Sequence, residues 1–353
     1  MYKIPSVKQL RAKTANGKHK FTVVSTFAGG GGSSLGYRMA GGKVLAVNEF
    51  IPEAVKTYTA NWPDTVVLPN DVRDIGAEDI LAAASVAEGE LDIFDGSPPC
   101  SAFSTAGKAE KNWGKTKTYS DTTQANVEDL FFEYMRLLKG VQSKVFVAEN
   151  VSGLAKGKAK GYLNEILRGL TDCGYEVRCR LLDAQYLGVP QSRPRVIFVG
   201  VRRDLWQENL EGKTHPKPFK YKVPLKDAFV DLEFTAEDAE ETNLTKYAVY
   251  ERLVRLAAGQ QDKVRFGLWK CSPHQPSPCH LATAANGGAK PCHWDNRSFT
   301  IAELKRIFSV PDDYVLTGNY AKQAERLGRM VAPFMMRAVA DNIYQQGLIG
   351  GHT

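Results

Sequence analysis

The 353-residue chain has no run of about 18 apolar residues, which argues against a membrane-spanning helix. Its opening, Met1-Tyr2-Lys3-Ile4-Pro5, lacks the apolar core and small-residue cleavage site of a secretory signal. Only six cysteines are spread along it, which is no disulfide framework and points to a reducing, cytoplasmic compartment. There is no internal repeat and no low-complexity tract. No Gly-Lys-Ser/Thr follows its glycine-rich turn, so a P-loop is excluded. Acids are missing from the first twenty residues, where Lys3, Lys8, Arg11, Lys13, Lys18 and Lys20 fall. Such a terminus is either a solvated tail or a surface for a polyanion. The net charge of +7 is compatible with the latter. Lys108, Lys111, Lys115 and Lys117 form a second basic cluster, for which phosphate contact is expected.

What is present is an alternation of strands and helices. Apolar runs at 21–27, 44–47, 66–68, 91–95, 144–147, 176–182 and 195–201 read as strands. Helical segments at 33–40, 51–61, 127–139 and 162–170 separate them. The expected fold is α/β, a doubly wound, mostly parallel sheet. After about Arg203 the rhythm fails, and residues 204–295 read as a smaller irregular domain with a helix at 246–258. Helical periodicity returns at 300–308 and 321–344. The expected division is 1–203, 204–295 and 296–353.

Four strand ends carry chemistry. Leu91-Asp92-Ile93-Phe94-Asp95-Gly96 breaks into Ser97-Pro98-Pro99-Cys100, presenting a thiol at a carboxyl strand edge on a rigid turn. The first strand ends in Phe27-Ala28-Gly29-Gly30-Gly31-Gly32, a turn whose glycines allow close approach to a ligand at a helix N-terminus. Glu49, ending the second strand, is placed to accept hydrogen bonds from a ribose diol, and Asp71, ending the third, to receive an adenine amine. The bland alternative is a surface turn with two solvated acids.

Together these segments resemble the DNA (cytosine-5)-methyltransferase family, in the family's order and over nearly the whole chain outside 204–295. The resemblance implies a Rossmann-like class I methyltransferase fold, S-adenosylmethionine as cofactor and double-stranded DNA as partner. Phe27, Gly29 and Gly31 match the cofactor loop, with Glu49 and Asp71 as its acids. Pro99-Cys100 matches the nucleophile motif, Glu149-Asn150-Val151 the catalytic Glu-Asn-Val, and Gln191-Ser192-Arg193-Pro194-Arg195 the Gln-x-Arg-x-Arg strand. Residues 297–306 with Phe308 match the segment that organises the recognition domain. Gly328-Arg329-Met330-Val331-Ala332-Pro333 matches the last cofactor-side motif, adding Arg329 and Val331 to the cofactor set. A monomer is expected. The RNA-directed branch usually carries a Cys-Phe-Thr signature, absent here.

By this resemblance Cys100 adds to cytosine carbon 6 and makes carbon 5 reactive. Glu149 holds the ring N3 and amino group, Arg195 the O2, and Arg193 orients neighbouring groups. A structural salt bridge is the rival for each arginine. The target base must leave the duplex stack, and the loop from Ser101 to about Thr122, with Trp113, is the candidate to close over it. Ser101 stands where many members carry glutamine. Arg329 replaces the usual asparagine, placing a cation beside a sulfonium. Carboxy-S-adenosylmethionine would supply a carboxylate for it, giving 5-carboxymethylcytosine. The alternatives are an arginine bonded to the cofactor's own carboxylate or to solvent, and, for the whole chain, an inactive DNA-binding homologue. Cys271, His274, Cys279, His280, Cys292 and His293 crowd one region, but their spacing fits no regular zinc motif, and no metal is expected.

Overall fold

The computed structural model describes residues 2–15, 17–99, 117–118, 123–124, 129–155, 160–282 and 290–349. Seven strands form the main sheet: β1 (Thr22–Thr26), β2 (Lys43–Asn48), β3 (Val66–Leu68), β4 (Ile93–Gly96), β7 (Val145–Val151), β8 (Tyr175–Asp183) and β9 (Pro194–Arg202). Their order is β3-β2-β1-β4-β7-β9-β8. Pairing is parallel from β3 to β7, while β9 runs antiparallel to both β7 and β8. A short antiparallel pair, β5 (Lys117–Thr118) and β6 (Thr123–Gln124), lies apart.

Alternate residues of each central strand face opposite layers. Val23, Ile93, Val145 and Val147 join one core, and Val24, Phe94, Phe146 and Ala148 the other. Burial on both sides makes these strands read as nearly unbroken apolar runs. The first core is covered by α1 (Val7–Ala15), α2 (Gly32–Met39) and α12 (Pro333–Gln345). The second is covered by α4 (Ala77–Ala84), α5 (Leu130–Val141) and α6 (Lys160–Asp172). Helix α3 (Pro52–Asn61) follows β2, with proline at its first position, where no N–H is needed. Helices α2 and α12 meet at Gly36, where a Cβ would lie 2.5 Å from the Pro333 carbonyl oxygen.

The basic N-terminus is a docked helix rather than a solvated tail. Val7 and Leu10 are buried, and Asp313 accepts from the N–H of Val7 (2.8 Å) and Lys8 (3.2 Å). Arg11 Nε donates to the Asn61 carbonyl at 2.7 Å.

Past β9 the elements are short: α7 (Leu225–Ala228), α8 (Ala236–Glu241), α9 (Val249–Arg255), β10 (Trp269–Lys270) and β11 (Pro291–Cys292). Leu244, Leu253, Leu268 and Cys292 make a small core of their own, whereas Leu210, Leu225 and Cys271 join the large one. The helix expected at 246–258 is trimmed to α9 because Leu256 turns extended. The segment 321–344 is not one helix. After α10 (Ile301–Ile307), α11 (Tyr320–Arg329) stops and α12 starts at Pro333, which lacks the N–H to continue a helix and keeps Ala332 extended. Among the described residues, no helix is long and apolar enough to cross a membrane.

Candidate active site

From β1 the chain winds outward through β2 to β3, and from β4 the other way through β7. The reversal between β1 and β4 is where ligands bind in open α/β sheets. The glycine turn leaves β1 there, and the Pro98-Pro99 turn leaves its neighbour β4.

Phe27, Gly29 and Gly31 adopt left-handed φ values of 53°, 55° and 84°. That conformation is strained for phenylalanine and free for glycine. Gly30 and Gly32 are fixed by crowding: a Cβ would lie 2.4 Å from Met330 Cε and 2.7 Å from Arg326 Cγ at the first, and 2.2 Å from the Val331 oxygen at the second. The last motif thus lies directly on the turn, with Met330 and Val331 against Gly30 and Gly32. Tyr314, which sequence reading missed, donates its hydroxyl to the Gly30 carbonyl at 2.6 Å.

Glu49 is buried just past β2. Its Oε2 accepts from the Gly29 N–H at 2.6 Å and its Oε1 from Ile51 at 2.8 Å. Burial pushes its carboxyl up, while the Ile51 and Gly29 N–H groups and the charge of Arg326 pull it back. Asn48 Nδ2 donates to the carbonyls of Leu68 (3.0 Å) and Asn70 (2.9 Å), drawing the loop after β3 alongside Glu49. There Asp71 caps a short 3-10 turn, Val72–Asp74, and pairs with Arg73 at 3.3 Å. The donor set fits a nucleoside: a left-handed glycine cradle beside a carboxylate whose oxygens keep lone pairs for hydroxyls. Arg329, by contrast, already holds a carboxylate, with Glu325 Oε1 accepting from its Nη2 at 2.6 Å and its Nε at 3.0 Å.

On the other strand, Asn150 Nδ2 donates to the Pro98 carbonyl at 3.2 Å, and its Oδ1 accepts from the Val151 N–H at 2.8 Å. Asn150 therefore pins the double-proline turn. Cys100 and the loop after it to residue 116 lie outside the described residues, as does most of 119–128.

Antiparallel register sets Val151 opposite Arg195, two residues along β7 from Glu149 and so on the same face of the sheet. Arg195 Nε and Glu149 Oε1 are 2.7 Å apart, with about a tenth of each side chain exposed. Arg195 also lines a cleft of about 840 Å³, together with Val151, Ser152 and Pro194 and with Gln261, Phe266 and Trp269 of the irregular region.

Arg193 points elsewhere. It is 2% exposed and donates to the carbonyls of His280 (3.0 Å), Gly328 (2.7 Å) and Met330 (2.9 Å). Burial and the charge of Arg195 lower its pKa to about 10. It ties the Gln-x-Arg-x-Arg strand to the irregular region and to the last motif. That makes it a positioning residue rather than one facing the cleft. Arg297 and Glu303 form a two-pronged pair at 2.8 and 2.7 Å, and the Thr300–Glu303 capping box starts α10.

Asp95 was not singled out from sequence. It is wholly buried on β4, its oxygens accepting from Ser25 (2.6 Å) and Tyr37 (2.9 Å). Burial raises its pKa to about 7, against the two hydroxyls and with the help of the Glu149 charge. Among the cysteines and histidines, Cys271 and Cys292 are buried and His280 Nε2 meets Ser277 Oγ at 2.8 Å. Among the described residues no group of three or more His, Cys, Asp or Glu side chains is arranged to hold a metal ion.

Known proteins bear on this geometry. Residues 21–345 match the family described as C-5 cytosine-specific DNA methylase. The chain is 28% identical over 341 residues to type II methyltransferase M1.HphI of Haemophilus parahaemolyticus, covering 91% of this chain and 86% of that protein. It is 30% identical over 356 residues to M.Eco47II of Escherichia coli, covering 92% and 78%. Its fold is similar to that of a prophage-encoded putative DNA modification methyltransferase from Escherichia coli, with a TM-score of 0.73, 22% identity and coverage of 92% and 99%. It is likewise similar to that of Spodoptera frugiperda DNMT2, with a TM-score of 0.64, 19% identity and coverage of 91% and 98%. With a match running over almost its whole length, the chain belongs to the C-5 cytosine-specific DNA methylase family.

Proposed function

We propose that this protein transfers a methyl group from S-adenosylmethionine to carbon 5 of cytosine in double-stranded DNA, through a covalent bond between Cys100 and carbon 6. The observation that supports this most is the Glu149–Arg195 pair, whose arginine lines the cleft and whose glutamate precedes Asn150, the residue bonded to the turn that leads into Cys100. When bound, the cofactor supplies an electrophilic methyl group on a sulfonium. Phe27, Gly29, Gly31, Pro99 and Val331 would hold it, with Glu49 placed to take the ribose hydroxyls and Asp71 the adenine amine.

The thiolate of Cys100 adds to carbon 6, and the electron pair of the 5,6 double bond moves to carbon 5. Glu149 hydrogen-bonds N3 and the amino group, stabilising charge that grows on the ring as sulfur adds. Arg195 binds O2 and holds the Glu149 carboxylate in place. Once carbon 5 has bonded to the methyl carbon and the pair of the broken S–CH3 bond has stayed on the donor sulfur, loss of the carbon 5 proton to a base such as water expels the thiolate and restores the ring. Asn150 and Arg193 position the site without touching the base. The base leaves the duplex to reach it, the loop 101–122 closes over it, and residues 204–295 serve as the recognition domain. Likeness to proteins named type II methyltransferases supports action at a defined DNA sequence. The charge argument for carboxy-S-adenosylmethionine required a carboxylate partner for Arg329. Glu325 is that partner, so the ordinary donor is the reading adopted.

Incubation with duplex DNA containing 5-fluorocytosine and S-adenosylmethionine tests this, because fluorine blocks the final elimination. A covalent complex that Cys100→Ala abolishes is expected. Binding without any covalent complex would identify an inactive homologue, and trapping on RNA alone would reassign the substrate.

A further inference from the structure

The segment from Gly259 to Lys270 doubles back on itself in the irregular region. Gly259 N–H donates to the Lys270 carbonyl at 2.7 Å, Lys270 to Gln260 at 3.0 Å, and Asp262 to Leu268 at 2.9 Å. Its base is anchored by Leu268, buried with Leu244, Leu253 and Cys292. Its tip is fixed by Asp262, whose Oδ1 accepts from the N–H of Val264 (2.8 Å) and Arg265 (2.5 Å). Arg252 braces the same carboxylate at 3.4 Å.

That rigid tip presents apolar surface to solvent. Val264 and Phe266 are each 77% exposed, more than any other large hydrophobic residue described; the next, Tyr221, is at 61%. Between and before them stand exposed Lys263 and Arg265, and among the described residues neither pairs with an acid. Phe266 and Gly267 line the same cleft as Arg195 and Ser152. A preorganised turn with two cations and two solvent-exposed apolar side chains, one of them at the cleft, matches a polyanion with flat apolar edges, which is a DNA groove.

We propose that this turn reads the DNA sequence: Phe266 and Val264 rest against base edges while Lys263 and Arg265 hold the flanking phosphates. The inference rests on the DNA-directed reading above and names the residues that set its sequence preference. Apolar contact with a thymine methyl or a base step discriminates between base pairs, whereas phosphate contacts are blind to sequence. Holding the tip by Asp262 limits the ordering cost of binding.

The test uses the whole protein on a library of duplexes with randomised sequence, reading both equilibrium binding and modified sites. Phe266→Ala should lower discrimination at one base pair about ten- to a hundredfold. Lys263→Ala should weaken binding to all sequences alike and reduce the slope of log affinity against log salt by about 1. Val230→Ala, an exposed apolar change elsewhere, should alter neither. An unchanged sequence preference in Phe266→Ala overturns the inference, as does a self-associated dimer that Phe266→Ala dissolves without altering that preference. If the wild-type chain selects sequences yet traps no 5-fluorocytosine, the catalytic proposal falls while the reading turn stands on the binding data.

Discussion

Replacing Asp95 with asparagine preserves the shape of a wholly buried side chain and removes its charge. In the native protein the carboxyl titrates near pH 7 instead of 3.8, chiefly because ionisation inside the sheet has no water to stabilise it. Between those limits the folded chain binds a proton that the unfolded chain has released, so stability falls as the pH rises. At about 1.4 kcal/mol per pH unit, the whole loss approaches about 4 kcal/mol, of which about 2–3 kcal/mol falls between pH 5 and 8. Asparagine can keep both partners, accepting from Tyr37 and donating to the Ser25 oxygen. Urea unfolding of wild type and Asp95→Asn at pH 5 and 8 isolates the effect. Glu49 and the buried histidines 215, 280 and 293 titrate in both proteins and cancel in the difference. The advantage of the variant should widen by about 2–3 kcal/mol over that interval. Parallel stability profiles would show that Asp95 ionises freely in the folded chain and would refute the reasoning.

Two glycines of one turn should behave differently. Gly32→Ala drives a Cβ into the Val331 carbonyl and should cost about 1–3 kcal/mol together with cofactor-product binding by calorimetry, whereas Gly29→Ala meets no atom within 4 Å and carries only the left-handed penalty of about 1–2 kcal/mol. Arg193→Met strands three carbonyls and should lower stability by at least about 2 kcal/mol in thermal melts; Arg193→Lys should not rescue it, since one ammonium cannot span partners on two segments. Arg329→Asn should leave donor choice unchanged when DNA treated with either donor is weighed by mass spectrometry, because Glu325 already neutralises the guanidinium.

Sequence patterns revealed what neighbours along the chain decide. The central strands stand out because both their faces are buried, and the glycine turn with Glu49 because each ends its own strand. Contacts made over long separations left no such trace. Asp95 reads as the polar end of an apolar run, since Ser25 and Tyr37 lie 70 and 58 positions away. Tyr314 reaches Gly30 across 284 positions, and no local pattern marks it. The arginines of the Gln-x-Arg-x-Arg strand are two residues apart, yet one faces the cleft and the other is sealed within the protein. Their motif does not distinguish them; the carbonyls of His280, Gly328 and Met330 do. At the N-terminus, charge left a solvated tail and a polyanion surface both open, and the docked helix went unread because Val7 and Leu10, which seat it, are only two apolar positions in a basic stretch.

The seat of α12 on α2 has a bearing on biosynthesis. Residues 333–345 complete the cover that α1 and α2 begin over strands whose sequence ends by residue 202, so during translation that face stays only partly covered for more than a hundred residues. A ribosome-bound chain halted before α12 should therefore offer a sticky apolar plane to chaperones, and adding the missing helix as a separate peptide should cover it.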